Sequence, residues 1–286
     1  AGADSVAETA AETETVAETA AETETETVAD TAAETETEPV ADTAPETETV
    51  PETVPETVPD TGPVDCGGPG PLVVTFATDD GVTLEADLYP ALSGGGAAVI
   101  LLHMIPPSND RKNYSPAFIS TLTAKGFTVL NVDRRGAGGS GGVAAQAYTG
   151  PNGKLDVKGA YDYLQGLDCS PDPKRIGVVG ASNGTTTTVD FSVWSATEPA
   201  VEQPAAIVFL TGGGYTENQN TLDDHHAELG ELPTLFVYST VEKAWSSGFI
   251  EGAPEAWTFS EHNPGDHGTK MFDVQPGAMA EVADFL

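Results

Sequence analysis

A serine between two glycines is the residue of this sequence best suited to covalent chemistry. It is Ser182, in the run Gly180–Gly184 (Gly-Ala-Ser-Asn-Gly), and it follows the apolar run Arg175–Val179, which we interpret as a short buried strand. Gly-x-Ser-x-Gly after a strand predicts a sharp strand-to-helix turn, so crowded that the residues two before and two after the serine must be small. Such a turn holds the Ser182 hydroxyl exposed at the end of a sheet, as a nucleophile requires.

Two other polar patterns favour no separate site. The run Asp223-Asp224-His225-His226 offers metal-ligating side chains, but neighbours in a helix do not face each other, and we interpret the run as a solvated helix face. The run Gly212-Gly213-Gly214 lacks the continuation that phosphate-binding loops carry. We therefore expect neither a metal nor an organic cofactor.

Strands and helices that could position Ser182 alternate along residues 66–286. Apolar runs predict a hairpin over 71–90 and strands over 97–102, 127–132, 175–179, 205–210, 233–238 and 257–259. Helices are predicted over 114–125, 154–164, 223–229 and 277–286. This alternation predicts an α/β fold, with a mostly parallel central sheet and helices on both faces. Ligands of such sheets bind at the carboxyl ends of the strands, where Ser182 would lie.

Residues 1–65 are a different kind of chain. They contain nineteen Asp and Glu and no Lys, Arg, His, aromatic, Leu or Ile, and units beginning Val-Ala-Glu-Thr or Val-Ala-Asp-Thr recur from Val6 onward. Such a segment cannot bury enough apolar surface to offset its ordering entropy, so we predict a disordered acidic repeat tail before one domain over 66–286. It would serve as a stalk for surface attachment or as a solubilising linker.

Charge and cysteine content limit the partners and the compartment. Outside the tail, eleven Lys and Arg face twenty-six Asp and Glu, which argues against nucleic acid as a partner. No apolar run is long enough for a membrane span. The chain begins with Ala rather than Met, so we expect a secreted or cell-envelope protein with its signal peptide removed. In that setting Cys66 and Cys169 are expected to form a disulfide, with two unrelated thiols as the alternative.

Five separated motifs follow one another along the domain. The run Leu101–Pro106 is similar to a His-Gly-x-Pro turn, and Asn131–Ser140 to an Asp-x-Arg-Gly-x-Gly-x-Ser loop. The third motif is the serine turn Gly180–Gly184. The fourth, Val237–Glu242, ends in an acidic residue, and the fifth, Gly265–Thr269, contains a histidine. In this order, over roughly residues 72–286, they resemble the α/β-hydrolase family, especially its dienelactone-hydrolase-like and small serine esterase branches.

The resemblance implies roles for three side chains. Ser182 would attack a carbonyl, His267 would take its proton, and Glu242 would hold the imidazole in the correct tautomer. The family usually has Asp where this chain has Glu242. Glu217 and Asp266 remain alternatives for the acid.

The remaining site positions follow from the same resemblance. His262 lies five residues before the candidate base and competes with it for that role. The backbone N–H of Asn183 is expected to donate to the oxyanion, with the second donor from Ile105 or Met104. We expect His103 to brace this loop structurally.

The resemblance as a whole implies a serine hydrolase that cleaves carboxylic esters or related acyl compounds through a Ser182 acyl-enzyme. Only residues 139–152 and 212–222 form connections long enough to shape a pocket, so we expect an open site and small or extended substrates. A peptidase of the same fold and a surface-tethered binding module without turnover are the alternatives.

Overall fold

A computed structural model of the chain describes residues 68, 70–91, 96–212 and 222–286, apart from the side chains of residues 223 and 245. The tail predicted over 1–65, its boundary with the domain, Cys66 and Glu217 lie outside the described residues. The tail and the disulfide with Cys169 therefore stay predictions.

Eight strands form one sheet in the described part of the chain. They are β1 (Leu72–Ala77), β2 (Thr83–Tyr89), β3 (Ala97–Leu102), β4 (Phe127–Val132), β5 (Ile176–Ala181), β6 (Ala206–Leu210), β7 (Thr234–Ser239) and β8 (Trp257–His262). Their order across the sheet is β1-β2-β4-β3-β5-β6-β7-β8. The pairs β1–β2 and β2–β4 are antiparallel and all other neighbours are parallel. The mostly parallel sheet predicted from the alternating elements is confirmed.

Helices connect these strands. They are α1 (Pro116–Ala124), α2 (Ala144–Tyr148), α3 (Gly153–Gln165), α4 (Asn183–Thr197), α5 (His226–Leu229), α6 (Ala244–Ser247), α7 (Met271–Val274) and α8 (Gly277–Phe285). The helix predicted over 223–229 is a short 3-10 turn followed by the single turn α5. None of the helices in the residues described above is long and apolar enough to cross a membrane.

The sheet is buried on both faces, which explains its long apolar runs. Every residue of β3, β5, β6 and β7 is buried. In β3, Ala98, Ile100 and Leu102 join one apolar cluster, whereas Val99 and Leu101 join the other. Successive side chains of a strand point to opposite faces, so helices must cover both faces, as in doubly wound folds.

The parallel strands bring their carboxyl ends to one edge of the sheet. His103 follows β3, Ser182 follows β5, Glu242 lies just after β7 and His267 lies after β8. Residues far apart in sequence therefore come together at this edge, where ligands of such sheets bind.

Candidate active site

Ser182 occupies the sharp turn between β5 and α4. Its backbone has φ 51° and ψ −123°, a conformation that L side chains rarely adopt. A Cβ on Gly180 would lie 2.6 Å from the Gly184 carbonyl oxygen, and one on Gly184 would lie 2.6 Å from the carbonyl oxygen of Leu102. Crowding by backbone atoms thus explains both glycines of the motif. Ser182 itself is buried, with 7% of its surface exposed, so it is less accessible than the exposed position expected from the sequence.

Three of the residues expected in the site form a hydrogen-bonded series. Ser182 Oγ lies 2.7 Å from His267 Nε2, and His267 Nδ1 lies 2.9 Å from Glu242 Oε1. A carboxylate only accepts, so Nδ1 carries the proton and Nε2 accepts the hydrogen bond of the Ser182 hydroxyl. The histidine and glutamate side chains are 33% and 27% exposed. The arrangement can transfer a proton from the serine hydroxyl to a neutral imidazole.

The loop that carries His267 is fastened to the end of β6. The N–H of the next residue, Gly268, donates to Thr211 Oγ1 at 2.9 Å. Gly268 has φ 55°, and a Cβ there would lie 2.8 Å from Met104 Sδ. A glycine is therefore needed where the histidine loop passes the residue after His103.

The competing residues have other partners. His262, the last residue of β8, has its Nε2 3.1 Å from Ser260 Oγ on the same strand and 3.1 Å from Glu281 Oε2 on α8. Asp266 Oδ1 accepts the backbone N–H of His267 at 2.6 Å and so caps the loop. The structure thus brings Glu242, and not Asp266, to the imidazole ring nitrogen.

The two histidines of the polar run 223–226 have separate partners. His225 Nδ1 lies 3.6 Å from Glu228 Oε1, and the ring of His226 packs edge-on against Trp257. In the described ranges, no group of three or more His, Cys, Asp or Glu is arranged to hold a metal ion.

The expected oxyanion residues lie on two elements. Asn183 is the first residue of α4, and backbone N–H groups in a first helical turn have no partner within the helix. Met104 is buried and Ile105 is 40% exposed, in the loop after β3. His103 braces this loop: it is fully buried, and its Nδ1 lies 2.7 Å from the Met104 carbonyl oxygen.

The loop after β4 is held by its own polar groups. The Asp133 carboxylate accepts the backbone N–H groups of Arg111 and Gly139, both at 2.8 Å. The Ser140 hydroxyl donates to the Asp133 carbonyl oxygen at 2.5 Å. The Asp and Ser of this motif therefore shape the loop and do not reach the turn at Ser182.

The comparisons with known proteins fit this geometry. No protein-family model matches the sequence, and no curated protein matches it. Among solved structures, the chain is similar to the esterase Pf2001 of Pyrococcus furiosus, with 18% identity and a TM-score of 0.58 over 75% of this chain and 90% of that one. It is similar to the alpha/beta hydrolase GrgF from Penicillium, with 17% identity and a TM-score of 0.57 over 75% and 96%.

A third similar structure is dienelactone hydrolase from Anabaena variabilis, with 20% identity and a TM-score of 0.52 over 76% of this chain and 94% of that one. At these identities the likeness concerns the fold. The similar structures, the strand order and the turn at Ser182 together identify the architecture of residues 72–286 as the α/β-hydrolase fold.

Proposed function

We propose that this protein is a serine hydrolase that cleaves carboxylic esters or related acyl compounds through an acyl-enzyme on Ser182. The observation that carries the proposal is the series from Ser182 through His267 to Glu242, with hydrogen-bond distances of 2.7 and 2.9 Å. A serine is a poor nucleophile at neutral pH, and it needs a base in hydrogen-bond contact. The three side chains supply nucleophile, base and orienting acid.

The first half of the reaction forms the acyl-enzyme. Ser182 Oγ attacks the substrate carbonyl while His267 Nε2 takes its proton. The Glu242 carboxylate stabilises the resulting imidazolium through Nδ1. The negative charge on the carbonyl oxygen is met by backbone N–H groups, that of Asn183 and one from Met104 or Ile105. The imidazolium then gives its proton to the leaving group.

The second half repeats these steps with water. His267 accepts a proton from the water that attacks the acyl group, and returns it to Ser182 Oγ as the acid product leaves. The series supports hydrolysis of acyl compounds in general. The similar structures include an esterase and a dienelactone hydrolase, which favours esters over amides as substrates.

Single substitutions at the serine and at two histidines test the proposal. We expect S182A to abolish labelling by a fluorophosphonate probe and hydrolysis of p-nitrophenyl esters, with an unchanged circular dichroism spectrum. H267A should lower kcat by about 10²–10⁴-fold, because the hydroxyl loses its base. H262A is the matched control and should keep the parent rate, since its ring contacts Ser260 and Glu281 instead.

Two outcomes would refute the assignment. If S182A hydrolyses esters at the parent rate, Ser182 is not the nucleophile. If H262A loses activity and H267A does not, the base is His262 and not His267. A parallel panel of peptide p-nitroanilides tests the peptidase alternative. Parent protein that turns over anilides but not esters would replace the ester proposal.

A further inference from the structure

A buried arginine contacts the loop and the helix that carry the candidate oxyanion residues. Arg134 follows β4 and has a fully buried side chain. Among the residues that the structure describes, no carboxylate oxygen lies within 4.0 Å of its guanidinium. Its acceptors are all neutral: the carbonyl oxygens of His103 (3.2 Å), Met104 (3.3 Å) and Ala147 (3.1 Å), Asn183 Oδ1 (3.0 Å) and Thr187 Oγ1 (2.7 Å).

Two of these carbonyl groups belong to the peptide units that would supply the second oxyanion donor. The His103 carbonyl shares its peptide unit with the Met104 N–H, and the Met104 carbonyl shares its unit with the Ile105 N–H. In a trans peptide the C=O and N–H point in opposite directions. Because Arg134 binds both carbonyl oxygens from one side, both N–H groups are directed away from it. A carbonyl that accepts from a cation also polarises its peptide and strengthens the N–H as a donor.

The same guanidinium also holds the element that carries the first donor. Arg134 Nη2 donates to Asn183 Oδ1 and to Thr187 Oγ1, one turn further along α4. It therefore bridges the loop after β3 and the start of α4, the two elements with the expected donors. Arg134 also donates its own backbone N–H to His103 Nε2 at 3.0 Å, which links the bracing histidine to the same network.

We propose that Arg134 is a positioning residue of the oxyanion hole, which orients and polarises the donors of the loop after β3 and aligns them with the N–H of Asn183. The proposal rests on the function proposed above. In the part of the chain that the structure describes, no carboxylate binds the Arg134 guanidinium directly, so the field of this cation also favours negative charge on the substrate oxygen. Burial lowers the pKa of Arg134 to about 10, so the side chain stays cationic at neutral pH.

Arg135 provides a matched control one residue away. Its side chain is equally buried, but it forms ion pairs with Asp156 and Asp80, both at 2.7 Å. The two arginines thus differ in what they hold: Arg134 holds the oxyanion elements, and Arg135 holds two carboxylates. R135M should therefore lower the melting temperature while the folded protein keeps a kcat near the parent value.

The test compares R134M with R135M in ester hydrolysis and in inhibitor binding. We expect R134M to lower kcat by about 10²-fold, as loss of one oxyanion donor does, with KM within about threefold of the parent. Affinity for a trifluoromethyl ketone, which forms an oxyanion on the serine, should fall by the same factor as kcat/KM.

Several outcomes overturn the inference. The inference is wrong if R134M folds and keeps the parent kcat. It is also wrong if R135M loses as much kcat as R134M, because the effect would then be merely structural. If R134M fails to fold, R134K and R135K decide the matter, because lysine keeps the buried charge but cannot bridge both elements. R134K at the parent kcat overturns it. A parent protein that takes up no probe and hydrolyses no ester refutes the proposed function and the inference with it.

Discussion

Mild acid is expected to destabilise this fold through one buried imidazole, that of His103. Its Nδ1 donates to the Met104 carbonyl oxygen, and its Nε2 accepts the backbone N–H of Arg134. Burial, together with the charge of Arg134, lowers the pKa of His103 to about 3 from the ordinary value of 6.5. A proton on Nε2 would face the N–H of Arg134, so the native structure excludes the charged imidazole.

The two pKa values set the size of the effect. Between pH 6.5 and 3 the unfolded chain binds a proton at His103 that the native protein does not bind. The free energy of unfolding therefore falls as the pH falls, by about 1.4 kcal/mol per pH unit. This contribution is fully present above pH 6.5 and is lost toward pH 3. From about pH 7.5 to about pH 5 the loss through His103 is about 2 kcal/mol, a large part of a typical domain's stability.

Urea unfolding of the parent and of H103Q, at both pH values, measures this loss. Glutamine keeps a neutral donor and a neutral acceptor but does not titrate. The quantity compared is the change in the free energy of unfolding between the two pH values. The absolute free energies are not compared, because the substitution itself also alters stability at every pH. We expect the parent to lose about 2 kcal/mol more than H103Q does. Equal losses in the two proteins would refute the linkage between burial of His103 and acid stability.

Two further predictions concern Gly184 and the cysteines. In G184A the new Cβ would lie 2.6 Å from the Leu102 carbonyl oxygen and 2.8 Å from that of His103. We expect urea unfolding to show a loss of about 1–3 kcal/mol together with lost probe labelling, and an active variant of parent stability would contradict the crowding argument. For Cys66 and Cys169, thiol titration of the unfolded, unreduced protein should find no free thiol. The disulfide would close a loop of about 100 residues and contribute up to about 4–5 kcal/mol to the free energy of unfolding. Two free thiols would show that the disulfide does not form.

The strands could be predicted well because their signal is local. The residues of β3 form a continuous apolar run, and those of β4 are apolar except Thr128 and Asn131. The predicted bounds 97–102 and 127–132 match the observed ones. Strand β8 is longer than its apolar part, Trp257–Phe259, and extends to His262. The extra residues are polar: Ser260 and His262 are half-buried and Glu261 is exposed. At this edge of the sheet, pairing with β7 and not burial defines the strand.

Helix α4 shows where local propensity fails. It contains the run Thr185–Thr188, and β-branched residues are weak helix formers. All four threonines are buried, and Thr188 Oγ1 donates to the Gly184 carbonyl oxygen at 2.9 Å. Bonds of this kind satisfy a buried hydroxyl within its own helix. The helical conformation of this run therefore depends on burial in the fold, which cannot be predicted from the local sequence.

The site was only partly readable from residue types. The turn at Ser182 could be predicted because the crowding around it demands glycines. The contact of His267 with Glu242 spans 25 residues and depends on how two loops leave β7 and β8, so only the resemblance to a family indicated it. Arg134 was missed, since arginine is rarely buried. Its one signal was its position two residues after the end of β4, next to Asp133.

Backbone strain marks the same edge of the sheet. Among the described residues, Ser182 and Thr211 are the two non-glycine residues with positive φ, at 51° and 55°. They follow the neighbouring strands β5 and β6, and each such conformation costs about 1–3 kcal/mol. Glycine would relieve the strain at either position but would remove a hydroxyl. Ser182 Oγ contacts the His267 ring, and Thr211 Oγ1 accepts the N–H of Gly268. Both strained residues thus hold the histidine loop, which is the physical reason why the strain is retained there.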